Sequence, residues 1–130
     1  MNKQPWKFVV VKSPEARKRL QECYAREWIN SAPLYIICMK AVDACWVRPQ
    51  DGKSHGDIDV AIATEHLCLA AAERGLGSCW VCNYKVAKLA ELFPRPGYEA
   101  IAVIPIGHIA PDCPINEKKR KPLEEITEML

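Results

Sequence analysis

Gly75-Leu76-Gly77-Ser78-Cys79-Trp80-Val81-Cys82-Asn83-Tyr84 lies between the longest apolar helical stretch of the chain and a second, shorter one. Gly75 suits the left-handed position that closes a helix, and Leu76 supplies the hydrophobic contact that accompanies such a cap. The residues from Ser78 to Asn83 have strand character, and Asn83 can open the next helix. A segment so placed can present backbone N–H groups and a large aromatic side chain to a ligand.

Upstream of it, Asp57 or Asp59 is placed to cap a helix that ends at Arg74. At 1.5 Å per residue this helix would span roughly 27 Å. Beyond the cap its charges are confined to Glu65, Glu73 and Arg74, and the rest is mostly Ala, Ile, Val, Leu and Cys. A helix apolar nearly all round is expected to be covered on most sides, in part by a second subunit. Downstream, Val86, Leu89, Ala90 and Phe93 mark a short amphipathic helix that stops at Pro94-Arg95-Pro96-Gly97. Glu99 to Gly107 then reads as a strand, whose Pro105 points to an edge, an end or a bulge.

The chain opens on a strand-like run from Trp6 to Lys12. Ser13 can cap a helix, Pro14 suits its first position, and Glu15 suits the positive end of its dipole. Ala16, Leu20, Cys23, Tyr24 and Trp28 recur at helical spacing, so one buried face is expected through about Trp28. Leu34 to Met39 reads as a buried strand. Val42 to Gly56 has no clear period and is expected to be an irregular loop, either a lid or a surface excursion with a tucked tryptophan. The tail carries Lys118-Lys119-Arg120-Lys121 and then a helical turn or two from Pro122. The alternation of strands and helices, taken alone, points to a parallel α/β sheet.

With 130 residues, 49% apolar and 26% charged, the chain suits one globular domain that buries roughly two-thirds of its unfolded surface. No run of about eighteen apolar residues is present, and Phe8 to Val11 is too short for the core of a signal peptide. A cytoplasmic location is therefore expected. A net charge of +2 predicts no broad affinity for nucleic acid or acidic membranes. The seven cysteines are odd in number, and Cys38 and Cys68 sit in apolar runs, so they read as reduced thiols acting as small hydrophobes.

Several chemistries can be weighed on the residues. A dinucleotide loop fails, because Gly75-x-Gly77 is followed by Trp80 where a third glycine belongs and follows a helix instead of a strand. Cys79-x-x-Cys82 could be a redox pair, but the helix that would lower the first thiol's pKa starts after Cys82. It could be half of a zinc site with His108 and Cys113, though a second close ligand pair is missing. Structural cysteines in a buried strand outweigh both. No Ser-His-Asp arrangement is visible. His66 is expected to be packed and His108 to sit at a strand end. With no acid/base pair in sight, any chemistry would belong to a cofactor. Lys118 to Lys121 reads as a solvated basic turn or, more sharply, as a phosphate clamp.

Larger patterns then join these pieces. Asn2-Lys3-Gln4-Pro5-Trp6-Lys7-Phe8-Val9-Val10-Val11 resembles the N-x-Q-P-W-x-F-x-V segment of the FMN-dependent nitroreductases. That family also shows an A-P-plus-strand segment, matched by Ala32-Pro33-Leu34-Tyr35-Ile36-Ile37. Its D-x-x-x-A helix ending in G-L-G-x-C-W is matched by Asp59 to Trp80. Its P-I-G and late K-x-R-x-P are matched by Pro105-Ile106-Gly107 and by Lys118-Lys119-Arg120-Lys121-Pro122. Order and spacing hold over essentially the whole chain.

The resemblance implies an α+β fold, a three-layer sandwich with a mostly antiparallel central sheet flanked by helices, which replaces the parallel expectation. It implies a homodimer with FMN at the subunit interface and the helix from Asp57 to Arg74 as the dimer core. By motif position, Asn2 and Gln4 would reach the flavin from the partner subunit. Trp80, Val81, Cys82 and Asn83 would lie along its ring with an N–H near N5, and Lys118 and Arg120 would hold its phosphate. The implied activity is NAD(P)H-dependent reduction of nitroaromatics, quinones or similar acceptors by ping-pong hydride transfer. NADH or NADPH would be the co-substrate, and no side chain would be obliged to act as acid or base. The family pattern places an R-R-S-x-R-like segment before N-x-Q-P-W that this sequence does not contain. Residues 1–130 are accordingly expected to form a nitroreductase-like domain, N-terminally truncated relative to the family. Two other readings stand beside it: a flavin-free, non-catalytic remnant of such an enzyme, and a thiol or zinc protein using Cys79 and Cys82.

Overall fold

The computed structural model of the chain describes residues 1–114 and 116–130. Four strands, β1 (Trp6–Val11), β2 (Leu34–Ala41), β3 (Leu76–Ser78) and β4 (Tyr98–His108), form one sheet in the order β1-β2-β4-β3. Every pair is antiparallel. The parallel arrangement expected from element alternation is therefore wrong: α1 and α3 link strands that run in opposite directions, and α2 joins β2 to β3, which run the same way but are separated by β4. The α+β expectation holds.

Three helices, α1 (Pro14–Gln21), α2 (Gly56–Glu73) and α3 (Val86–Leu92), flank the sheet, and a short exposed one, α4 (Leu123–Ile126), follows in the tail. One core joins Leu20 and Cys23 at α1, Leu89 and Phe93 at α3, and the sheet residues Tyr35, Ile37, Met39, Val81 and Val103. The other joins Val60 and Ala71 of α2 to Ile36, Cys38, Ala102, Ile104 and Ile106. The alternation of side chains along β2 and β4 separates these two cores. The result is three layers.

Local rules set some helix ends. Ser13 Oγ accepts the Ala16 N–H at 3.2 Å, with Pro14 in the first turn. Gly75 closes α2 at φ +71°, the left-handed position where a side chain would be strained. α2 starts at Gly56 with His55 at the N-cap and no side-chain capping bond, so neither Asp57 nor Asp59 is the cap expected; both lie in the first turn. α1 stops at Gln21, short of the expected Trp28. In a longer helix the Cys23 carbonyl would accept from residue 27, but the Lys85 N–H occupies it at 2.8 Å. A separate 3-10 turn covers Glu27–Ser31, and Trp28 is exposed with its ring edge-on to Tyr24.

The 42–56 segment is more ordered than expected. Val47 and Ser54 form an antiparallel bridge, Arg48 pairs with Asp51, and Trp46 stacks against His55 at 4.7 Å. It is a small pinned hairpin with a tucked tryptophan. Pro105 does not lie on an edge: β4 is central. Residue 103 directs its N–H and C=O toward the β3 side, so residue 105 does likewise. The donor that proline lacks is missing only from that side, where the register Ser78↔Ile106 and Val81↔Val103 places Cys79 opposite Pro105. β3 accordingly ends at Ser78.

Within this one chain α2 is covered on one side: Ile58, Ile62, His66 and Leu69 are exposed. The expected packing of His66 is therefore not met by the chain's own residues. The chain exposes 9435 Å², whereas a globular monomer of this mass exposes about 6,900 Å². It thus buries a little over half of its unfolded surface, short of two-thirds. No helix among the described residues is long and apolar enough to cross a membrane.

Candidate functional site

Trp80 to Asn83 continue from β3 along the free edge of the sheet. Val81 is buried and exchanges two backbone bonds with Val103, N to O at 3.0 Å and O to N at 2.9 Å. In an antiparallel pair, residues flanking such a doubly bonded one turn their N–H and C=O groups the other way. The Trp80 and Cys82 amides therefore face away from β4, and no backbone acceptor takes them among the described residues.

The strip is held at its far end too. Tyr84 Oη donates to the Ala100 carbonyl at 2.7 Å, and burial, with Cys82 and Glu99 nearby, pushes its phenol up to about 12. Lys85 Nζ donates to the Glu22 carbonyl at 3.1 Å. Between these anchors Trp80 is 37% exposed, and Cys82 and Asn83 are exposed. A rigid edge with free N–H donors and an accessible indole can hold a flat, hydrogen-bonding ring. No side chain on it is an evident acid or base.

The other expected site residues are dispersed within one chain. Asn2 and Gln4 are exposed just ahead of β1, at the opposite edge of the sheet. Three strand spacings, roughly 14 Å, separate that edge from the β3 side. Gln4 has φ +48°, the only non-glycine positive φ among the described residues. The Pro5 side chain next to it is fully buried, and its carbonyl accepts the Ala41 N–H at 2.7 Å. Seating Pro5 thus turns the Gln4 backbone outward at a cost of order 1 kcal/mol. Lys118 and Arg120 are exposed on a segment without regular structure after β4.

Cys79 and Cys82 depart from expectation: they are exposed, not set in a buried strand. All seven cysteines are free thiols, in line with the reduced reading. Among the described residues no three His, Cys, Asp or Glu side chains group closely enough to hold a metal ion. Cys38 is buried as expected, and burial pushes its thiol up to about 11. Sequence reasoning missed Val103, whose backbone orients the strip, and marked Pro105 only as a strand irregularity, not as the residue that ends the ladder beside it. Nothing local in the sequence joins either residue to Trp80.

Residues 21–108 match the model of the nitroreductase family. The chain belongs to that family. A crystal structure of a nitroreductase family protein from Clostridium difficile 630 is 36% identical, with a TM-score of 0.88 over 98% of this chain and 74% of that one. An oxidoreductase containing FMN superposes with a TM-score of 0.68 at 18% identity, over 82% of this chain and 57% of its own, a likeness of fold alone. Iodotyrosine deiodinase 1 of Pongo abelii is 26% identical over 98% of this chain and 54% of the deiodinase. The chain spans about half the length of the curated relatives it matches.

Proposed function

We propose that this nitroreductase-family chain acts as an FMN-dependent oxidoreductase that takes reducing equivalents from NADH or NADPH. Nitroaromatics, quinones or similar compounds would accept them. The observation that carries the reading is the Trp80–Asn83 strip: outward amides on a backbone locked to Val103, beside an accessible indole. Such donors suit the heteroatoms along one edge of an isoalloxazine ring. FMN, when bound, supplies hydride transfer between the nicotinamide and the acceptor.

This chain's residues would bind and orient. The amides of Trp80 and Cys82 would donate to the ring, the indole would wall it from water, and Lys118 and Arg120 would pair with the phosphate. Each charge-assisted bond of that kind contributes roughly 1.5–3 kcal/mol. Arg120→Ala is therefore expected to weaken FMN binding by about ten- to a hundredfold.

The site is proposed to need two chains. Asn2 and Gln4 lie on the far edge of their own sheet, so only a partner's copies would reach the strip. The exposed surface exceeds that of a globular monomer by about 2,500 Å² per chain, or about 5,000 Å² for two chains, at the upper end of what obligate dimers bury in total. Ile58, Ile62 and Leu69 offer an apolar face on α2 for such a partner. A visible absorbance titration with FMN tests the reading. One flavin bound per chain, with NAD(P)H oxidation once an acceptor is added, is the expected result. A folded dimer that binds no FMN would overturn it.

A further inference from the structure

A cavity of about 490 Å³ beside β3 is lined by Cys79 and Cys113, together with Trp28, Pro33 and His108. The two thiols arrive by different routes. Cys79 is the first residue after β3, left out of the ladder because Pro105 opposite it has no N–H to give. Cys113 is carried there by a reversal of the chain after β4. Ile109 folds back over Gly77, so close that a Cβ on that glycine would lie 3.0 Å from Ile109 Cγ1. A turn then follows, with the Cys113 N–H on the Ala110 carbonyl at 3.0 Å.

Both thiols are free and exposed, with only weak contacts to the carbonyls of their next neighbours, Trp80 at 3.7 Å and Pro114 at 3.9 Å. Cys82 does not line this cavity. The 109–113 arm is exposed throughout, so it can swing to meet disulfide geometry without unpacking a core.

We propose that Cys79 and Cys113 are a reversible redox pair, closing as a disulfide that clasps the 109–113 arm across the cavity. The oxidant is a low-molecular-weight disulfide. The Cys79 thiolate attacks it, forming a mixed disulfide and expelling one small thiolate, which takes up the proton Cys79 lost. The Cys113 thiolate then attacks Cys79 Sγ, expelling the second small thiolate, which takes up the proton from Cys113. Two protein thiols are oxidised by two electrons, and the small disulfide is reduced to two thiols. A small-thiol reductant reverses both steps. The pair requires no cofactor and stands apart from the FMN reading.

The test is oxidation of the native, full-length chain with glutathione disulfide, followed by alkylation and non-reducing peptide mapping. The expected product is a Cys79–Cys113 linked peptide within one chain, reversed by dithiothreitol. Rapidly reacting thiols should fall from the three exposed ones to one. Cys79→Ser and Cys113→Ser should each abolish the link, and Cys82→Ser should leave it intact. A Cys79–Cys82 link, a disulfide between two chains, a mixed disulfide that never resolves, or a link formed only in denaturant would each overturn the proposal.

Discussion

Val81 and Val103 exchange both of their backbone hydrogen bonds across a gap in which neither neighbouring residue of the edge segment pairs. That isolated bridge turns the Trp80 and Cys82 amides to the outside. Pro105 creates the gap. Pro105→Ala would restore an N–H opposite Cys79 and extend the ladder. The gain of about 1 kcal/mol from the new bond is offset by the extra freedom of the unfolded chain, worth about 0.4–1 kcal/mol. Stability should hardly change. Hydrogen exchange should instead reveal a protected amide at position 105, and fast exchange there would refute the register argument.

Tyr84 anchors the other end of the strip. Burial raises its phenol from 10.0 to about 12, so the fold favours the neutral form. Its contribution is complete below about pH 10 and is lost as pH rises toward 12. Tyr84→Phe removes the bond to Ala100 and should cost about 1 kcal/mol at neutral pH. Denaturant melts should also show a smaller loss of stability between pH 10 and 12 in this variant than in the parent protein.

Lys40 lies with its side chain mostly covered between Asp57, at 2.6 Å, and Glu99, at 3.4 Å. The Asp57 carboxylate, opposed by burial and helped by Glu99, raises the Lys40 ammonium above 10.5. The pairing therefore stabilises the fold below that pH and fades as pH climbs above it. Asp57→Asn should cost about 1 kcal/mol at neutral pH, shrinking in high salt. Melts at several pH values and salt concentrations check this.

The apolar face of α2 predicts association. The Ile62→Lys, Leu69→Lys double variant replaces residues 55% and 58% exposed in the single chain, so each chain should still fold. Analytical ultracentrifugation should show a dimer for the parent and a monomer for the variant, with FMN binding lost in parallel. A variant that stays dimeric would place the interface elsewhere.

Local chemistry in the sequence determined a good part of this protein. The Ser13 cap, the Gly75 stop, the α3 stop before Pro94, the buried Leu34–Met39 strand and the family motifs all act through neighbours within a few residues. Such signals survive without knowledge of the fold. Tertiary structure decided the rest. The direction of the strands depends on which edges meet, and α1 ends where Lys85, far along the chain, takes the Cys23 carbonyl. Pro105 sits in a central strand because its missing donor faces a gap, and that depends on register. Asn2 and Gln4, expected to meet the same ligand as Trp80, stand at the opposite edge of the sheet from it. Periodicity records that α2 is apolar, but only the packed sheet shows which face it covers and which it leaves exposed.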